Sequence, residues 1–212
     1  MKHKFLLIML FLLIVFSVCF SGCINIKSSI KKHNTYHLKQ EKIKNEFDTI
    51  NIEKSIFVKN FTIKTELSSE KIIIIEDSVN IVKCNYHLWT IPLDEMLTDF
   101  TIDRLTKYNI FKKGVVSSIT MLPDLILECR IIDCNINNSV DKNFSNNVDI
   151  TISANVYKAE ENSSNFVNIF SKVYIKVLKR SDNSISSAVS ALSNCSSDII
   201  DEIILDIYKK LS

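Results

Sequence analysis

Glycine is scarce in this chain of 212 residues, which contains only Gly22 and Gly114. Loops that cradle phosphate groups, and the sharp turns that present a catalytic serine, need glycine at several fixed positions. Two isolated glycines cannot supply them. The sequence therefore excludes most of the enzyme classes that a short glycine motif would mark.

The sequence also has little net charge. It carries 26 Lys and Arg against 24 Asp and Glu, and two of the lysines, Lys2 and Lys4, lie in a segment that we expect to be removed. Nucleic-acid binding depends on clustered positive charge that releases counterions from phosphates, so no nucleic-acid partner is expected. Because 46% of the residues are hydrophobic, the chain can bury a core, which excludes wholesale disorder.

Residues that ligate metals or act as bases are few and scattered. Only one histidine, His87, lies in the body of the chain, and the body cysteines match no zinc ligand set; they are Cys84, Cys129, Cys134 and Cys195. Cys129 and Cys134 on one extended strand would lie roughly 16 Å apart, which no disulfide spans. Buried free thiols are expected, with one long-range disulfide as the alternative. No metal, cofactor or catalytic residue is predicted.

The N-terminal segment has the pattern of a lipoprotein signal peptide. A basic start at residues 2–4 precedes an apolar run over residues 5–16, which is too short for a spanning helix of about 20 residues but suits a secretory signal. Phe20-Ser21-Gly22-Cys23 resembles a bacterial lipobox, in which the cysteine thiol takes a diacylglycerol and becomes the first residue after cleavage. An ordinary signal peptide cut near Gly22, or an uncleaved anchor, is the alternative.

Lipidation at Cys23 implies a protein that is anchored to a membrane of the cell envelope and faces the periplasm. Ile24 follows the cysteine at a position where Asp would retain the protein in the inner membrane under enteric-type sorting, so the outer membrane is favoured. Residues 1–22 are then the signal peptide. Residues 23–55 hold the lipidated cysteine, a polar tether and an opening strand near Thr35–Leu38, and residues 56–212 form a single domain.

Alternation of apolar and polar residues predicts strands through most of this domain. The predicted strands are Phe57–Thr65, Ile72–Ile75, Val79–Trp89, Leu125–Ile132, Val148–Tyr157 and Val167–Val177. In the last two, the apolar residues are expected to face the core, since antiparallel strands covered on one side have one apolar and one polar face. Asn135–Asn147 is expected to be a long loop.

Two amphipathic helices are predicted, Thr90–Tyr108 and Ile185–Leu211. Arg104 interrupts the apolar side of the first helix, and Asp201 falls on the polar side of the second. Both helices should pack on the covered face of the sheet. The expected fold class is therefore α+β, with a curved, mainly antiparallel sheet and two amphipathic helices packed on one face.

The stretch Tyr86-His87-Leu88-Trp89-Thr90-Ile91-Pro92 joins the third strand to the first helix and holds the only Trp. Thr90 is expected to cap the helix, with Pro92 in its first turn. Tyr86, Trp89 and Pro92 form either a packed corner of the core or a contact for a partner. Both interpretations stay open at this point.

Tyr86-X-X-Trp89-X-X-Pro92, followed by a helix that ends in an aromatic residue, is similar to the ABC-type transport auxiliary lipoproteins. These accompany MCE-type (mammalian-cell-entry) lipid transport systems of the Pqi and Mla kind. The lipobox at Cys23, the opening at Tyr36-His37-Leu38 and the order of strands and helices agree with that family over nearly the whole mature chain. Leu88 replaces the Arg that usually precedes the Trp.

The resemblance implies a non-catalytic envelope component that is lipid-anchored and docks on an MCE-domain assembly between the two membranes. A separate cytoplasmic subunit would hydrolyse ATP, and no catalytic residue is implied for this chain. The alternative is a structural lipoprotein that assists the assembly of an outer-membrane protein or of a lipopolysaccharide export complex. An enzyme is not expected.

Overall fold

The computed structural model of the chain describes residues 32–40, 52–65, 67–77, 80–116, 122–139, 146–160 and 165–212. The predicted signal peptide, Cys23 and most of the predicted tether lie outside the described residues. The chain from His33 to Ser212 forms one compact unit. The opening strand and the last helix therefore belong to the same body.

The described elements follow one another in the order β1 (Asn34–Tyr36), β2 (Ile56–Val58), β3 (Thr62–Ile63), β4 (Lys71–Glu76), β5 (Asn80–Trp89), α1 (Leu93–Tyr108), β6 (Val115–Val116), β7 (Leu125–Asn138), β8 (Asn147–Ala159), β9 (Phe166–Lys179) and α2 (Ile185–Leu211). These nine strands form one mixed sheet. The predicted α+β class, with two helices, is confirmed.

β7 is the central strand of the sheet. On one side it pairs antiparallel with β8, which pairs antiparallel with β9. On its other side β2, β3 and β4 pair with it in succession, all parallel. β4 then pairs antiparallel with β5, and β1 and β6 add short parallel pairings to β5 and β2. The long pairings are thus antiparallel, and parallel pairing involves short segments of two or three residues.

The core lies between the sheet and the two helices. The residues of β7 and β8 that face the helices are almost fully buried; they are Leu125, Leu127, Cys129, Ile131, Val148, Ile150, Ile152, Ala154 and Val156. A β-bulge between Ile131 and Asp133 shifts the alternation, so that Cys134 and Ile136 are the next buried residues of β7. Each large aliphatic side chain buried in this way contributes about 1.5–3 kcal/mol.

The single strand predicted over Phe57–Thr65 is wrong, because the chain forms the two short strands β2 and β3 with a break between them. At the break the N–H of Phe61 donates to Oγ1 of Thr98 on α1 at 2.9 Å instead of continuing the ladder with β7. The buried residues of β2 are Ile56 and Val58, and Phe57 is half-buried.

The loop predicted over Asn135–Asn147 is shorter than expected, since β7 continues to Asn138 and β8 begins at Asn147. Side-chain hydrogen bonds across the strand pair stabilise this polar extension. The amides of Asn135 and Asn137 both donate to the carboxylate of Asp149 at 2.7 Å. Polar residues can thus extend a strand when their cross-strand partners are polar too.

The first helix begins at Leu93 with Pro92 at its N-cap, so the prediction that Thr90 caps it is wrong. The hydroxyl of Thr90 is hydrogen-bonded instead to Nδ1 of His37 at 2.9 Å, and its N–H donates to the carbonyl oxygen of Tyr36. Thr90 therefore fastens β1 to the end of β5. α2 has the predicted bounds.

Two charged residues lie in the interior, where the helices meet. Arg104 is 1% exposed, and its Nε lies 3.2 Å from Oδ1 of Asp201, which also accepts a hydrogen bond from the hydroxyl of Tyr108 at 2.9 Å. The guanidinium group of Arg104 sits 5.3 Å from the ring centre of Phe100. Asp201 is buried, so its predicted place on the polar side of α2 is wrong. Arg104, which interrupts the apolar side of α1, is thus paired with Asp201, which interrupts the apolar side of α2.

The four described cysteines are all free, and Cys129, Cys134 and Cys195 are buried while Cys84 is half-buried. The expected buried free thiols are confirmed for those three, and the alternative long-range disulfide is wrong. Burial raises the pKa of Cys195 to about 11 and that of Cys134 to about 12. These thiols are protonated at neutral pH and act as small apolar side chains.

Candidate interaction surfaces

β9 turns three of its apolar residues away from the helices. Val173, Ile175 and Val177 are 51%, 64% and 60% exposed; we call them the β9 stripe. Their orientation follows from the register, because Tyr174 lies opposite the buried Ile152 of β8 and cross-strand neighbours share a face. The prediction that the apolar residues of Val167–Val177 face the core is therefore wrong for Val173, Ile175 and Val177, while Ile169 packs against the core.

The inner face of β9 is polar and contacts the acidic flank of α2. Nζ of Lys172 lies 2.6 Å from Oδ2 of Asp206, the hydroxyl of Tyr174 donates to the same oxygen at 2.8 Å, and Lys176 pairs with Glu202. Burial alone would raise the pKa of the Asp206 carboxyl, but the hydrogen bonds from Lys172 and Tyr174 outweigh it and lower the pKa. Charge pairing thus holds a polar strand face against a helix.

β9 is also an edge strand, because within the described residues it pairs only with β8. Its 14 residues therefore leave one row of backbone donors and acceptors without a strand partner in this part of the chain. The outward residues of β8 opposite the β9 stripe are polar; they are Asp149, Thr151 and Ser153. An apolar stripe on an edge strand is typical of a surface that another protein covers.

A second group of exposed apolar side chains lies on β5, where Ile81 projects from one face of the strand and Val82 projects from the other. Ile81 is 69% exposed, and Val82 and Tyr86 are more than a third exposed; we call these three residues the β5 patch. In the described residues β1 pairs with β5 only from His87 to Trp89, so Ile81 and Val82 have no strand neighbour on that side in this part of the chain. The two surfaces therefore lie on opposite edges of the sheet.

The structure separates the three residues of the predicted corner. Trp89 is 6% exposed and belongs to the core, and its N–H donates to the carbonyl oxygen of Glu70 at 2.6 Å. Pro92 is half-buried at the start of α1. Tyr86 lies on the surface, with its ring centre 5.6 Å from that of His33. Of the three, Tyr86 alone is exposed.

A groove of about 280 Å³ lies between β1 and the first half of α2. Its only histidine, His37, is hydrogen-bonded to Thr90. Ser193, in the same groove, donates to the carbonyl oxygen of Val189 at 2.8 Å and accepts from the N–H of Lys39 at 3.0 Å. The hydroxyl of Tyr36, which also lines the groove, is hydrogen-bonded to Nδ1 of His87 at 2.9 Å.

The described part of the chain contains no group of three or more His, Cys, Asp or Glu residues that could hold a metal ion. A helix with the length and apolar character needed to cross a membrane is not found among the described residues.

Sequence reasoning missed the β9 stripe because alternation defines two faces of a strand without saying which one is covered. The sequence does contain one signal of the true orientation of β9. Lys172 and Lys176 are four residues apart on β9, and Glu202 and Asp206 are four residues apart on α2. Two such pairs of opposite charge indicate that the lysine face meets the helix.

Solved structures share this fold. The protein XCC0632 from Xanthomonas campestris, of the family DUF330, superposes with a TM-score of 0.70 at 12% identity over 84% of this chain and 96% of that chain. The chain has the fold of this DUF330 protein. An uncharacterized protein gives a TM-score of 0.62 at 15% identity, with 83% of this chain and 99% of that one covered.

The hypothetical protein CT253 from Chlamydia trachomatis gives a TM-score of 0.50 at 8% identity and covers 74% of this chain and 96% of that one. No protein-family model and no curated protein matches the sequence. At such identities the likeness is one of fold. It extends over most of the length of each of the three proteins.

Proposed function

We propose that this chain is a non-catalytic, lipid-anchored accessory lipoprotein of the cell envelope that docks on the MCE-domain assembly of an ABC-type lipid transport system. Cys23 carries the anchor, and the β9 stripe is the docking surface. The observation that carries the proposal is the exposure of three aliphatic side chains on an edge strand. The fold of DUF330 is compatible with an accessory envelope lipoprotein.

The sequence supports the choice of partner. The lipobox at Cys23 and the pattern of Tyr86, Trp89 and Pro92 resemble the auxiliary lipoproteins of MCE systems. The burial of Trp89 and the position of Pro92 at the start of α1 fit a structural role for two of these residues. The contact with the partner is therefore assigned to β9 and not to the corner.

The chemistry of the β9 stripe determines what its partner must offer. Burying an aliphatic side chain of this size contributes about 1.5–3 kcal/mol, so three of them supply a substantial part of a stable contact. The uncovered backbone of β9 can in addition pair with a strand of the partner. The MCE-domain protein would thus present a strand edge with apolar residues opposite Val173, Ile175 and Val177.

One observation supports a role by contact over one by catalysis. The buried thiols have raised pKa values, which makes them poor nucleophiles. We therefore expect the purified chain to turn over no nucleotide, ester or peptide.

Co-purification of the lipidated full chain from its own cells tests the proposal. Ile175→Lys places a charge in the β9 stripe and should reduce the recovery of the MCE-domain protein at least about tenfold. Leu122→Lys is the matched control, because Leu122 is 65% exposed and lies outside the stripe. It should give the recovery of the unmodified protein, and both variants should keep their thermal unfolding midpoint.

Equal recovery of the MCE-domain protein with the two variants would contradict the assignment of the docking surface. Recovery of an outer-membrane protein or a lipopolysaccharide export component, lost in Ile175→Lys, would support the alternative function instead. Deletion of the gene provides a second readout. It should cause a defect in envelope permeability that is shared with loss of the MCE partner.

A further inference from the structure

We infer that the β5 patch rests on the bilayer to which Cys23 is anchored, with Ile81 and Val82 inserted among the acyl chains. This inference depends on the lipid anchor of the proposed function and not on its partner. It assigns the membrane contact to one edge of the sheet and leaves the β9 stripe, on the opposite edge, for protein.

The first argument is the direction in which the chain enters the domain. β1 runs parallel to β5, with Asn34 opposite His87. The ring contact between His33 and Tyr86 continues this register by one residue. The N-terminal end of β1 therefore points toward the end of β5 at which Ile81 lies.

The second argument is the length of the segment that leads to Cys23. Ten residue steps separate Cys23 from His33, and a fully extended chain spans at most about 3.6 Å for each, or about 36 Å in total. From Tyr86 to Ile81 the strand covers about 17 Å. Cys23 thus lies within about 36 Å of His33 and at most about 19 Å beyond Ile81 in the direction of β5, which keeps this end of the domain within reach of the membrane.

The opposite end of the sheet is much farther away. β7 is 14 residues long, which is about 45 Å. The last residues of β7 lie beside β4. There Asn137 of β7 is opposite Ile75 of β4, and Ile75 is in turn opposite Ile81 of β5. Leu122 precedes the first residue of β7, so it lies at the other end of the sheet. A bilayer that touches Ile81 therefore does not touch Leu122.

The chemistry of the patch fits a lipid surface. Ile81 has the highest exposed fraction of the large apolar side chains in the described residues. Lys83 is exposed two positions along β5, where its ammonium group can meet a lipid phosphate. Glu76 and Asp77 belong to the same hairpin, so apolar insertion and not net positive charge must hold the contact. Two aliphatic side chains suffice for this because the acyl anchor already confines the domain.

Fluorescence quenching by brominated lipids tests the contact. The lipidated chain is reconstituted in vesicles of phosphatidylethanolamine and phosphatidylglycerol, with and without bromine on the acyl chains. Two variants, Ile81→Trp and Leu122→Trp, place an indole at matched exposed positions, and the native Trp89 gives a common background that is subtracted. We expect the added emission to fall at least about twofold with brominated lipid in Ile81→Trp, and to stay unchanged in Leu122→Trp.

Equal quenching of the two variants, or quenching of neither, would overturn the inference. Acylation of Cys23 is measured on the same samples by mass spectrometry and vesicle flotation, which separates the two proposals. A chain without acyl groups contradicts the proposed anchor and this inference together. A chain that is acylated and floats but shows no quenching contradicts this inference alone. Hydrogen exchange of the unmodified protein gives an independent answer. The backbone amides of residues 80–86 should exchange more slowly when the protein is on vesicles than when it is in detergent.

Discussion

Strands β8 and β9 are neighbours of nearly equal length, 13 and 14 residues, and both alternate apolar with polar side chains. They nevertheless present opposite faces to the helices. The apolar residues of β8 are buried, whereas Val173, Ile175 and Val177 of β9 face outward. The difference arises because α2 packs its apolar side on β8 and its acidic flank, Glu202 and Asp206, on β9.

This comparison shows that the residues packed against a strand determine which of its two faces is buried. A polar face can be the inner one when its charges find partners, and the apolar face is then left for another molecule. Such an arrangement keeps the domain folded while an apolar surface stays exposed. The function that we propose depends on that second surface.

The largest expected effect contrasts equivalent isoleucines on the two strands. Ile152→Asp in β8 places an unpaired carboxylate in the core, which costs several kcal/mol, and should abolish folding. Ile175→Asp in β9 should change the free energy of unfolding by less than about 0.5 kcal/mol. Urea unfolding followed by circular dichroism measures both. A large loss in Ile175→Asp would mean that the β9 stripe belongs to the core.

The next effect tests whether buried charge in this fold is tolerated only in pairs. Arg104→Met removes the guanidinium group that lies 3.2 Å from the buried carboxylate of Asp201 and should cost about 3–5 kcal/mol. The double variant Arg104→Met, Asp201→Leu removes both charges and should recover most of that loss. If the double variant is no more stable than Arg104→Met, charge pairing does not explain the two buried residues.

A smaller effect concerns the inner face of β9. Tyr174→Phe removes the hydroxyl that donates to Asp206 at 2.8 Å, and a hydrogen bond to a charged group contributes about 1.5–3 kcal/mol. We expect a loss near the lower end of that range, because Lys172 still contacts the carboxylate. Tyr157→Phe, at a half-buried position on β8, is the control and should cost less than about 0.5 kcal/mol. Equal losses would show that the contact with α2 does not hold β9.

The smallest effect is a pH dependence at the same contact. The pKa of Asp206 is lowered in the folded chain, so its contribution is complete above the unfolded pKa of about 4 and is lost as the pH falls through the folded value. At pH 7 Asp206→Asn should cost no more than about 1 kcal/mol, since the side chain of Lys172 is 48% exposed. The difference between the two proteins should vanish near pH 2. A difference that grows with acidity would contradict the charge pairing.

Much of the fold follows from the sequence alone. The period of two residues locates β5, β7, β8 and β9, and the three- and four-residue steps locate α2 to its ends. The break between β2 and β3 was not predictable, because it depends on a hydrogen bond from Phe61 to Thr98, 37 positions later in the chain. The extension of β7 was missed for a similar reason, since the asparagines find their partners only across the sheet.

The candidate surfaces were harder to predict than the fold. Tyr86 was identified from its motif, and the structure places it on the surface. The apolar residues of β9 were identified but assigned to the wrong side of the sheet. A sequence gives the spacing of apolar residues, while the side of the sheet on which a strand places them depends on the register with β8 and on the charges of α2.

The outward orientation of the β9 stripe and its role in docking are the central claim, and one measurement tests both. A photoreactive phenylalanine analogue is placed at position 175 of the lipidated full chain in living cells, and at position 99, an exposed position of α1, as the control. After irradiation, position 175 should give a covalent adduct that contains the MCE-domain protein, and position 99 should give none. An adduct with that protein at position 99 alone, or at neither position, would contradict the account.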